Sequence, residues 1–358
     1  MSRFLHEKYA PLEAYTPGEQ PRDRAYIKLN TNESPYPPAP EVLDALGQQD
    51  LEDLRLYSDP EGKALKEKLA WYYGCQGENV FLSNGSDDIL NFAFMAFGAQ
   101  GAVFPSPSYS FYPVFAQLHG VPYRTVPLRE DFTLDVEGLC HTGCLTVLAN
   151  PNAPTGLAVG LEAIEHIVAS NPDQVVLVDE AYIDFGGESA AELIHRYQNL
   201  LVVMTYSKSR SMAGARLGFA LGDRELIADL EKLKFSTNPY NVNRLTLTLG
   251  AAAVDAAPYF VENAKRIMAT RARTAAALQR LGFTFPDSKA NFLFIRREGL
   301  PGDLLYRKLK DRGVLIRHFS DPALADYNRV TIGTEEEMGV FLQEVRAILE
   351  EEGLYETG

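Results

Sequence analysis

Residues 200–208 read Leu200-Leu201-Val202-Val203-Met204-Thr205-Tyr206-Ser207-Lys208. Five apolar residues in a row are typical of a strand that is buried on both faces of a parallel sheet. Such a strand delivers the residues after it to the carboxyl edge of the sheet, where open α/β sheets bind ligands. The sequence therefore places the Lys208 amine where it could form an imine with a carbonyl cofactor. An exposed loop lysine is the alternative, and the residues that follow other strands argue against it.

Four more short apolar runs precede polar turn residues in the same way. Between them lie helical stretches, of which Ile89–Phe97, closed by Gly98, is the clearest. Strands that alternate with helices predict an α/β fold, in which a mostly parallel sheet is flanked by helices on both faces. The four runs are Val80–Leu82, Ala102–Phe104, Leu145–Leu148 and Val175–Val178.

The chain divides into three parts by pattern. Residues 1–30 are proline-rich and irregular, which predicts an arm that lies across another surface. Residues 31–249 form the large domain, and residues 250–358 form a smaller α+β domain that packs with the arm. The smaller domain is expected to hold a long helix over Pro258–Leu281 and strands at Asn291–Ile295, Val314–Ile316 and Arg329–Gly333.

Composition excludes several classes of protein. The 358 residues carry a net charge of −14, which argues against a nucleic-acid surface. No uncharged apolar run reaches the ~18 residues of a membrane span, and no signal peptide is expected. Three cysteines are typical of reduced thiols in a cytoplasmic protein. Cys140 and Cys144 flank His141, but no second pair completes a zinc site, so no metal is expected.

The residues after the strands match the needs of pyridoxal 5'-phosphate. This cofactor needs an anion beside its ring nitrogen, so that the ring accepts electrons. Asp179 follows four apolar residues, and a desolvated carboxylate is costly unless it has a cationic partner. Tyr182 and Asn152 are the expected donors to the phenolic oxygen. A structural carboxylate that caps a turn remains the alternative for Asp179.

A cradle for the cofactor phosphate is expected where a second strand meets its helix. Gly85 allows close approach of the backbone, and Ser86 and Asp87 begin a helix whose free N–H groups favour an anion. Ser207 would add a hydroxyl and Arg216 a charge-assisted pair. Tyr109, which follows two prolines, is expected to stack on the ring.

The spacing of these residues resembles that of the pyridoxal-phosphate aminotransferases with the aspartate aminotransferase fold. Lys208 lies twenty-nine residues after Asp179, and Arg216 lies eight residues after Lys208. Asn152 to Gly156 resembles the Asn-Pro-Thr-Gly turn of that family. The chain has Ala153 where the family usually has asparagine, so the phenolic-oxygen contact is assigned to Asn152.

Several other segments resemble the histidinol-phosphate aminotransferases within that family: Leu12–Gly18, Leu29–Pro35, Leu56–Pro60, Pro239–Asn243 and Ile316–Arg317 with Arg329–Thr334. The resemblance implies a homodimer in which Tyr57 reaches the cofactor phosphate of the neighbouring subunit. It also implies amino transfer between L-histidinol phosphate and 2-oxoglutarate, in histidine biosynthesis. Arginine suits the substrate phosphate and carboxylates. The expected substrate residues are Tyr15, Asn32, Tyr240, Arg317 and Arg329.

Two alternatives stay open at this point, and two others are disfavoured. An aromatic amino-acid aminotransferase would use the tyrosines of the same pocket, and a threonine-phosphate decarboxylase would use the same cofactor cradle. A regulatory module without turnover is disfavoured because the amino-terminal arm has no helix-turn-helix pattern. A Rossmann dehydrogenase is disfavoured because no Gly-x-Gly-x-x-Gly follows a strand.

Overall fold

The computed structural model describes residues 2–12 and 17–354. Buried apolar runs form the strands, and longer amphipathic stretches form the helices. The strands are β1 (Ile27–Lys28), β2 (Val80–Ser83), β3 (Ala102–Ser106), β4 (Tyr123–Pro127), β5 (Leu145–Ala149), β6 (Val176–Asp179), β7 (Leu200–Thr205), β8 (Gly218–Gly222), β9 (Phe292–Ile295), β10 (Val314–Leu315), β11 (Arg317–His318) and β12 (Asn328–Thr331). The helices are α1 (Pro40–Leu43), α2 (Gln48–Glu52), α3 (Lys63–Tyr73), α4 (Ser86–Phe97), α5 (Phe111–His119), α6 (Leu161–Ala169), α7 (Arg224–Thr237), α8 (Arg244–Asp255), α9 (Ala257–Arg280), α10 (Gly302–Asp311) and α11 (Glu335–Glu351).

Seven strands form the central sheet, in the order β2-β8-β7-β6-β5-β3-β4. Only β8 runs antiparallel to its neighbours in this sheet. The prediction of an α/β fold with a mostly parallel sheet is confirmed, and all five predicted strands are present. The sequence patterns missed β4, whose first three residues are exposed, and β8, which begins and ends with glycine.

The sheet is buried on both faces because successive residues of each strand point to opposite sides. Val178 and Val202 pack into one apolar cluster, with residues of α3, α6 and α8. Leu177 and Leu201 pack into the other, with residues of α4 and α5. The carboxyl ends of β5, β6 and β7 therefore open at one edge, between two helical layers.

A second, antiparallel sheet has the order β11-β12-β9. Helix α9 begins within one residue of the predicted start, and its second residue is proline, which is well tolerated there. The predicted strand at Val314–Ile316 exists as β10, but it pairs with β1 and not with the other two predicted strands. The register places Ile27 opposite Val314, so the amino-terminal segment is tied to the carboxyl-terminal part of the chain. Within residues 2–12 and 17–354, no helix combines the length and the apolar character needed to cross a membrane.

Candidate active site

A cavity of about 390 Å³ opens at the carboxyl edge of the central sheet. Strand β6 ends at Asp179, and the adjacent strand β7 ends three residues before Lys208. Both residues line the cavity because their strands are parallel neighbours. The other predicted residues that line it are Ser86, Asp87, Tyr109, Tyr182, Ser207 and Arg216.

Asp179 forms the buried end of this cavity, with 5% of its surface exposed. The hydroxyl of Tyr112 donates to Oδ2 over 2.9 Å, and the backbone N–H of Ala181 donates to Oδ1 over 3.2 Å. Burial raises the pKa of Asp179 to about 6, although both donors favour the ionised form. A cation that entered the cavity would complete the stabilisation of this carboxylate.

Lys208 lines the same cavity as Asp179. Its Nζ donates to the backbone oxygen of Thr31 over 3.4 Å, and it lies 5.7 Å from the centroid of the Tyr182 ring. The first contact is long and the second is weak, so little holds the amine in place. Lys208 is therefore free to react with a carbonyl group at this position.

Tyr182 closes the cavity beside Asp179. Its hydroxyl accepts a hydrogen bond from Nδ2 of Asn32 over 2.9 Å, and its ring packs edge-on against Phe292. Asn32, which was expected to contact the substrate, is not among the residues that line the cavity. Its side chain is buried, its Nδ2 donates to Tyr182, and its Oδ1 accepts from Thr331.

The predicted phosphate cradle is formed where β2 meets α4. Gly85 has φ of +89°, and Ser86 begins the helix with its backbone N–H groups free. A Cβ added to Gly85 would lie 2.6 Å from Nη2 of Arg216, so only glycine lets the guanidinium come so close. Asp87 accepts from the Tyr109 hydroxyl over 2.7 Å and pairs with Arg216 at 3.3 Å.

These residues fit pyridoxal phosphate by the chemistry of their donors. A helix N-terminus and Arg216 suit the phosphate, and the buried Asp179 carboxylate suits a protonated ring nitrogen. Tyr109 and Lys208 line the same cavity.

Asn152, to which the phenolic-oxygen contact was assigned, is not among the residues that line the cavity. Its Nδ2 donates to the backbone oxygen of Pro107 over 3.2 Å and to Thr155 over 3.1 Å, while its Oδ1 accepts from Ser108 over 2.7 Å. The amide is therefore fully used within the surrounding loops. Ala153 lines the cavity instead and presents only a methyl group.

Arg317 and Arg329 line a second cavity of about 390 Å³, which shares Tyr109 and Ala153 with the first. They face each other on paired strands, since Arg317 of β11 is in register with Arg329 of β12. Arg329 also donates to the backbone oxygen of Asn30 over 3.2 Å. Two cations on adjacent strands suit an anionic group that enters beside Tyr109.

Two of the remaining predicted residues, Tyr57 and Tyr240, do not line the cavity of their own chain. Tyr57 is 77% exposed, and its ring stacks on that of Tyr240 with centroids 4.4 Å apart. Arg244 donates to the backbone oxygen of Tyr57 over 2.8 Å, which fixes this segment. The predicted substrate residue Tyr15 lies outside the described residues.

Sequence patterns missed two residues at the site. Tyr112 of helix α5 donates a hydrogen bond to Asp179, and no local sequence motif predicts this contact. Glu33 lines the cavity and accepts from Lys28 over 2.6 Å and from Thr31 over 2.9 Å. Glu33 lies in Leu29–Pro35, one of the segments that resemble the histidinol-phosphate aminotransferases, so the sequence did contain a signal that this carboxylate is at the site.

One group of potential metal ligands occurs among the described residues, away from the cavity. Ligand atoms of Glu137, Cys140 and His166 lie within 4.8 Å of one another. Nε2 of His166 lies within hydrogen-bond distance of Oε1 of Glu137, at 3.1 Å, which explains their proximity without an ion.

Comparison with known proteins identifies the family. The model of the family described as aminotransferase class I and II matches residues 24–345. The histidinol-phosphate aminotransferase of Brachyspira hyodysenteriae is 47% identical over 352 residues, which span 98% of this chain and 99% of that protein. The enzyme of the same name from Syntrophus aciditrophicus is 48% identical over 353 residues, 96% of this chain and 98% of that protein.

A solved structure agrees with these relatives. The histidinol-phosphate aminotransferase from Sinorhizobium meliloti, in complex with pyridoxal 5'-phosphate, superposes with a TM-score of 0.81 at 25% identity. The superposition covers 91% of this chain and 92% of that chain. Together with the family match, it confirms the prediction of a pyridoxal-phosphate enzyme. The chain belongs to the class I and II aminotransferases and, within them, to the histidinol-phosphate aminotransferase family.

Proposed function

We propose that this chain moves the amino group of L-histidinol phosphate to 2-oxoglutarate, giving imidazole-acetol phosphate and glutamate. The family relationship supports this reaction, and one observation carries its chemistry. The Lys208 amine and the Asp179 carboxylate end adjacent parallel strands and line one cavity. An aminotransferase needs these two groups on either side of its cofactor.

Pyridoxal phosphate supplies an electron sink that makes the α-hydrogen of the substrate acidic. Asp179 keeps the ring nitrogen protonated, because a buried carboxylate stabilises a cation beside it. Tyr182 donates a hydrogen bond to the phenolic oxygen. Tyr109 would lie against the face of the ring and thereby orient it.

Lys208 has two tasks in this proposal. Its amine would hold the cofactor through an imine until the amine of the substrate takes its place. The released Lys208 amine would then act as general base toward the α-carbon proton and as general acid toward C4′. The weak contacts of Nζ with Thr31 and Tyr182 are compatible with this movement.

The cofactor phosphate is held at the amino-terminal end of α4. The backbone N–H groups at Ser86 and Asp87, the Ser207 hydroxyl and the Arg216 guanidinium supply its donors. Arg216 already pairs with Asp87, so this arginine is anchored at the cradle before the phosphate arrives.

The two arginines of the second cavity bind the substrate's anionic end. Arg317 and Arg329 lie on paired strands, and their cavity meets the first one at Tyr109 and Ala153. The phosphate of histidinol phosphate and the carboxylates of glutamate suit guanidinium groups equally well. The same pair therefore serves both half-reactions.

We also propose that the chain acts as a cytoplasmic homodimer. Tyr57 would then reach the cofactor phosphate of the neighbouring subunit, while its stacking on Tyr240 fixes the direction of its ring. The exposure of Leu51, Leu54 and Leu56 in the same segment supports burial against a second copy. In the same proposal, residues 1–30 are an arm, 31–249 a large domain and 250–358 a small domain.

A half-reaction screen tests the reaction. Cofactor-loaded protein is mixed with L-histidinol phosphate, phenylalanine, tyrosine or threonine phosphate, without a 2-oxo acid, and the cofactor absorbance is followed. The proposal predicts that L-histidinol phosphate converts the cofactor to its amine form fastest and that 2-oxoglutarate restores it. Faster conversion by phenylalanine or tyrosine would indicate an aromatic aminotransferase, and release of carbon dioxide from threonine phosphate would indicate a decarboxylase.

A further inference from the structure

The hydroxyl of Tyr182 has a partner, Asn32, that is not among the residues lining the cavity. Nδ2 of Asn32 lies 2.9 Å from this hydroxyl, although the two residues are 150 positions apart in the chain. Both side chains are buried, so water does not compete for this bond. The direction of this hydrogen bond therefore determines whether the single proton of the Tyr182 hydroxyl is used by Asn32 or is available to another acceptor.

The orientation of the Asn32 amide follows from its neighbour Thr331. The backbone N–H of Asn32 donates to Oγ1 of Thr331 over 2.9 Å, so that hydroxyl must send its own proton elsewhere. Oδ1 of Asn32 lies 3.0 Å from the same hydroxyl and accepts that proton. An amide turned the other way would present N–H to Thr331 and leave the hydroxyl proton without an acceptor. Nδ2 therefore faces Tyr182.

An amide N–H can only donate, so Tyr182 acts as the acceptor in this pair. The phenol proton is then left for a different direction, and Tyr182 is among the residues that line the cavity. A chain of donors thus runs from Asn32 through Tyr182 to the cavity. Consecutive hydrogen bonds of this kind strengthen each other in a buried site.

We propose that Asn32 is a positioning residue, whose amide holds the Tyr182 hydroxyl so that its proton points at the phenolic oxygen of the cofactor. The proposal rests on the Tyr182 contact that is part of the proposed function. It adds that the donor strength of Tyr182 depends on a residue that does not touch the cofactor.

The backbone of Asn32 limits which substitutions give a clear answer. Its φ is +56°, in the left-handed region that asparagine, aspartate and glycine tolerate and that most other residues avoid. Asn32→Gly removes the amide and keeps this backbone. Asn32→Asp keeps the shape and replaces the donor by an acceptor, which would draw the Tyr182 proton away from the cavity.

Two measurements on the holoenzyme test the proposal: the dissociation constant of pyridoxal phosphate, and the pH midpoint of its visible absorbance. A donor to the ionised phenolic oxygen lowers this midpoint, so loss of the donor raises it. Asn32→Gly is expected to weaken binding about threefold to tenfold, as for one buried hydrogen bond. The midpoint should rise in all three variants, Asn32→Gly, Asn32→Asp and Tyr182→Phe.

A double-mutant cycle separates this role from a structural one. If Asn32 acts through Tyr182, Asn32→Gly has no further effect on either measurement in a Tyr182→Phe background. Asn291→Ala is the control, because Asn291 donates to the backbone oxygen of Asn32 over 3.0 Å but does not touch Tyr182. It should lower the melting temperature and leave the pH midpoint unchanged.

The outcomes are distinct. An Asn32→Gly effect that is undiminished in the Tyr182→Phe background overturns the inference while leaving the proposed function intact. The same holds if Asn32→Gly changes neither measurement although Tyr182→Phe changes both. A Tyr182→Phe variant with wild-type affinity and midpoint would overturn the Tyr182 contact itself, and the inference with it.

Discussion

The hydroxyl of Tyr112 lies 2.9 Å from Oδ2 of Asp179 and donates a hydrogen bond to it. Tyr112 is fully buried on helix α5, and Asp179 is the last residue of strand β6. This bond and the one from Ala181 satisfy one lone pair on each carboxylate oxygen. These two bonds orient the carboxylate before any cofactor binds. Each oxygen keeps a second lone pair that could accept a further hydrogen bond.

Cofactor affinity should fall as pH falls through 6. Burial raises the pKa of Asp179 to about 6, so the carboxyl is increasingly protonated below that pH and no longer stabilises a cationic ring nitrogen. The dissociation constant should rise up to about tenfold per pH unit there. Tyr112→Phe removes a donor to the ionised form, so it should move this break to higher pH. An unchanged break, measured by fluorescence titration, would exclude this role of Tyr112.

Asp179→Asn should stabilise the cofactor-free protein at pH 8. A carboxyl whose pKa is raised on folding binds its proton more tightly in the native state, so its contribution to stability is lost as pH rises through 6. The asparagine variant does not lose stability in this way, because its side chain has no carboxyl group to ionise. The gain at pH 8 should be at most about 3 kcal/mol and should largely disappear near pH 4. Denaturant unfolding at both pH values measures it, and a variant less stable than wild type at pH 8 would contradict the reasoning.

Subunit complementation should reveal a shared site. Tyr57→Phe keeps the stacking on Tyr240 but loses the hydroxyl, and Lys208→Ala removes the reactive amine. If Tyr57 serves the neighbouring subunit, a mixed dimer of the two variants contains one intact site. Random reassociation makes about half of the dimers mixed, and one of the two sites in each mixed dimer is intact. The mixture should therefore recover about a quarter of the wild-type activity, more than either variant shows alone. Lack of any recovery, with mixed dimers verified by mass, would show that each chain supplies its own tyrosine.

Arg317→Leu should impair phosphorylated donors selectively. Arg317 is in register with Arg329 at the second cavity, so removing one cation weakens a charge-assisted contact with the substrate phosphate. We expect kcat/KM for L-histidinol phosphate to fall about ten- to a hundredfold, with a much smaller change for L-histidinol. Arg307→Leu is the matched control, because Arg307 is exposed and pairs with Asp303 on the same helix. Equal losses for both donors would place the phosphate elsewhere.

The sequence predicted those parts of the molecule that depend on local patterns. Asp179 and Lys208 follow apolar runs, and parallel strands bring such residues to one edge of the sheet, so their proximity was predictable. Strand β8 was missed because its glycine ends and its antiparallel direction leave no local signal.

Side-chain partners from distant segments were not predictable. Asn152 was expected at the cofactor, but its amide is used by Pro107 and Ser108, more than forty residues away. Asn32 was expected at the substrate, but Tyr182 takes its Nδ2. Both differences from expectation have the same cause, because a motif gives the position of an amide and not the partner that satisfies it.

The most direct test of the central claim is a single-turnover reaction of the cofactor-loaded enzyme with L-histidinol phosphate in the absence of a 2-oxo acid. We predict about one equivalent of imidazole-acetol phosphate per Lys208, no carbon dioxide, and a rate at least a thousandfold lower for Lys208→Ala. A Lys208→Ala enzyme that forms the ketone at the wild-type rate would contradict the assignment of this amine as the reactive group.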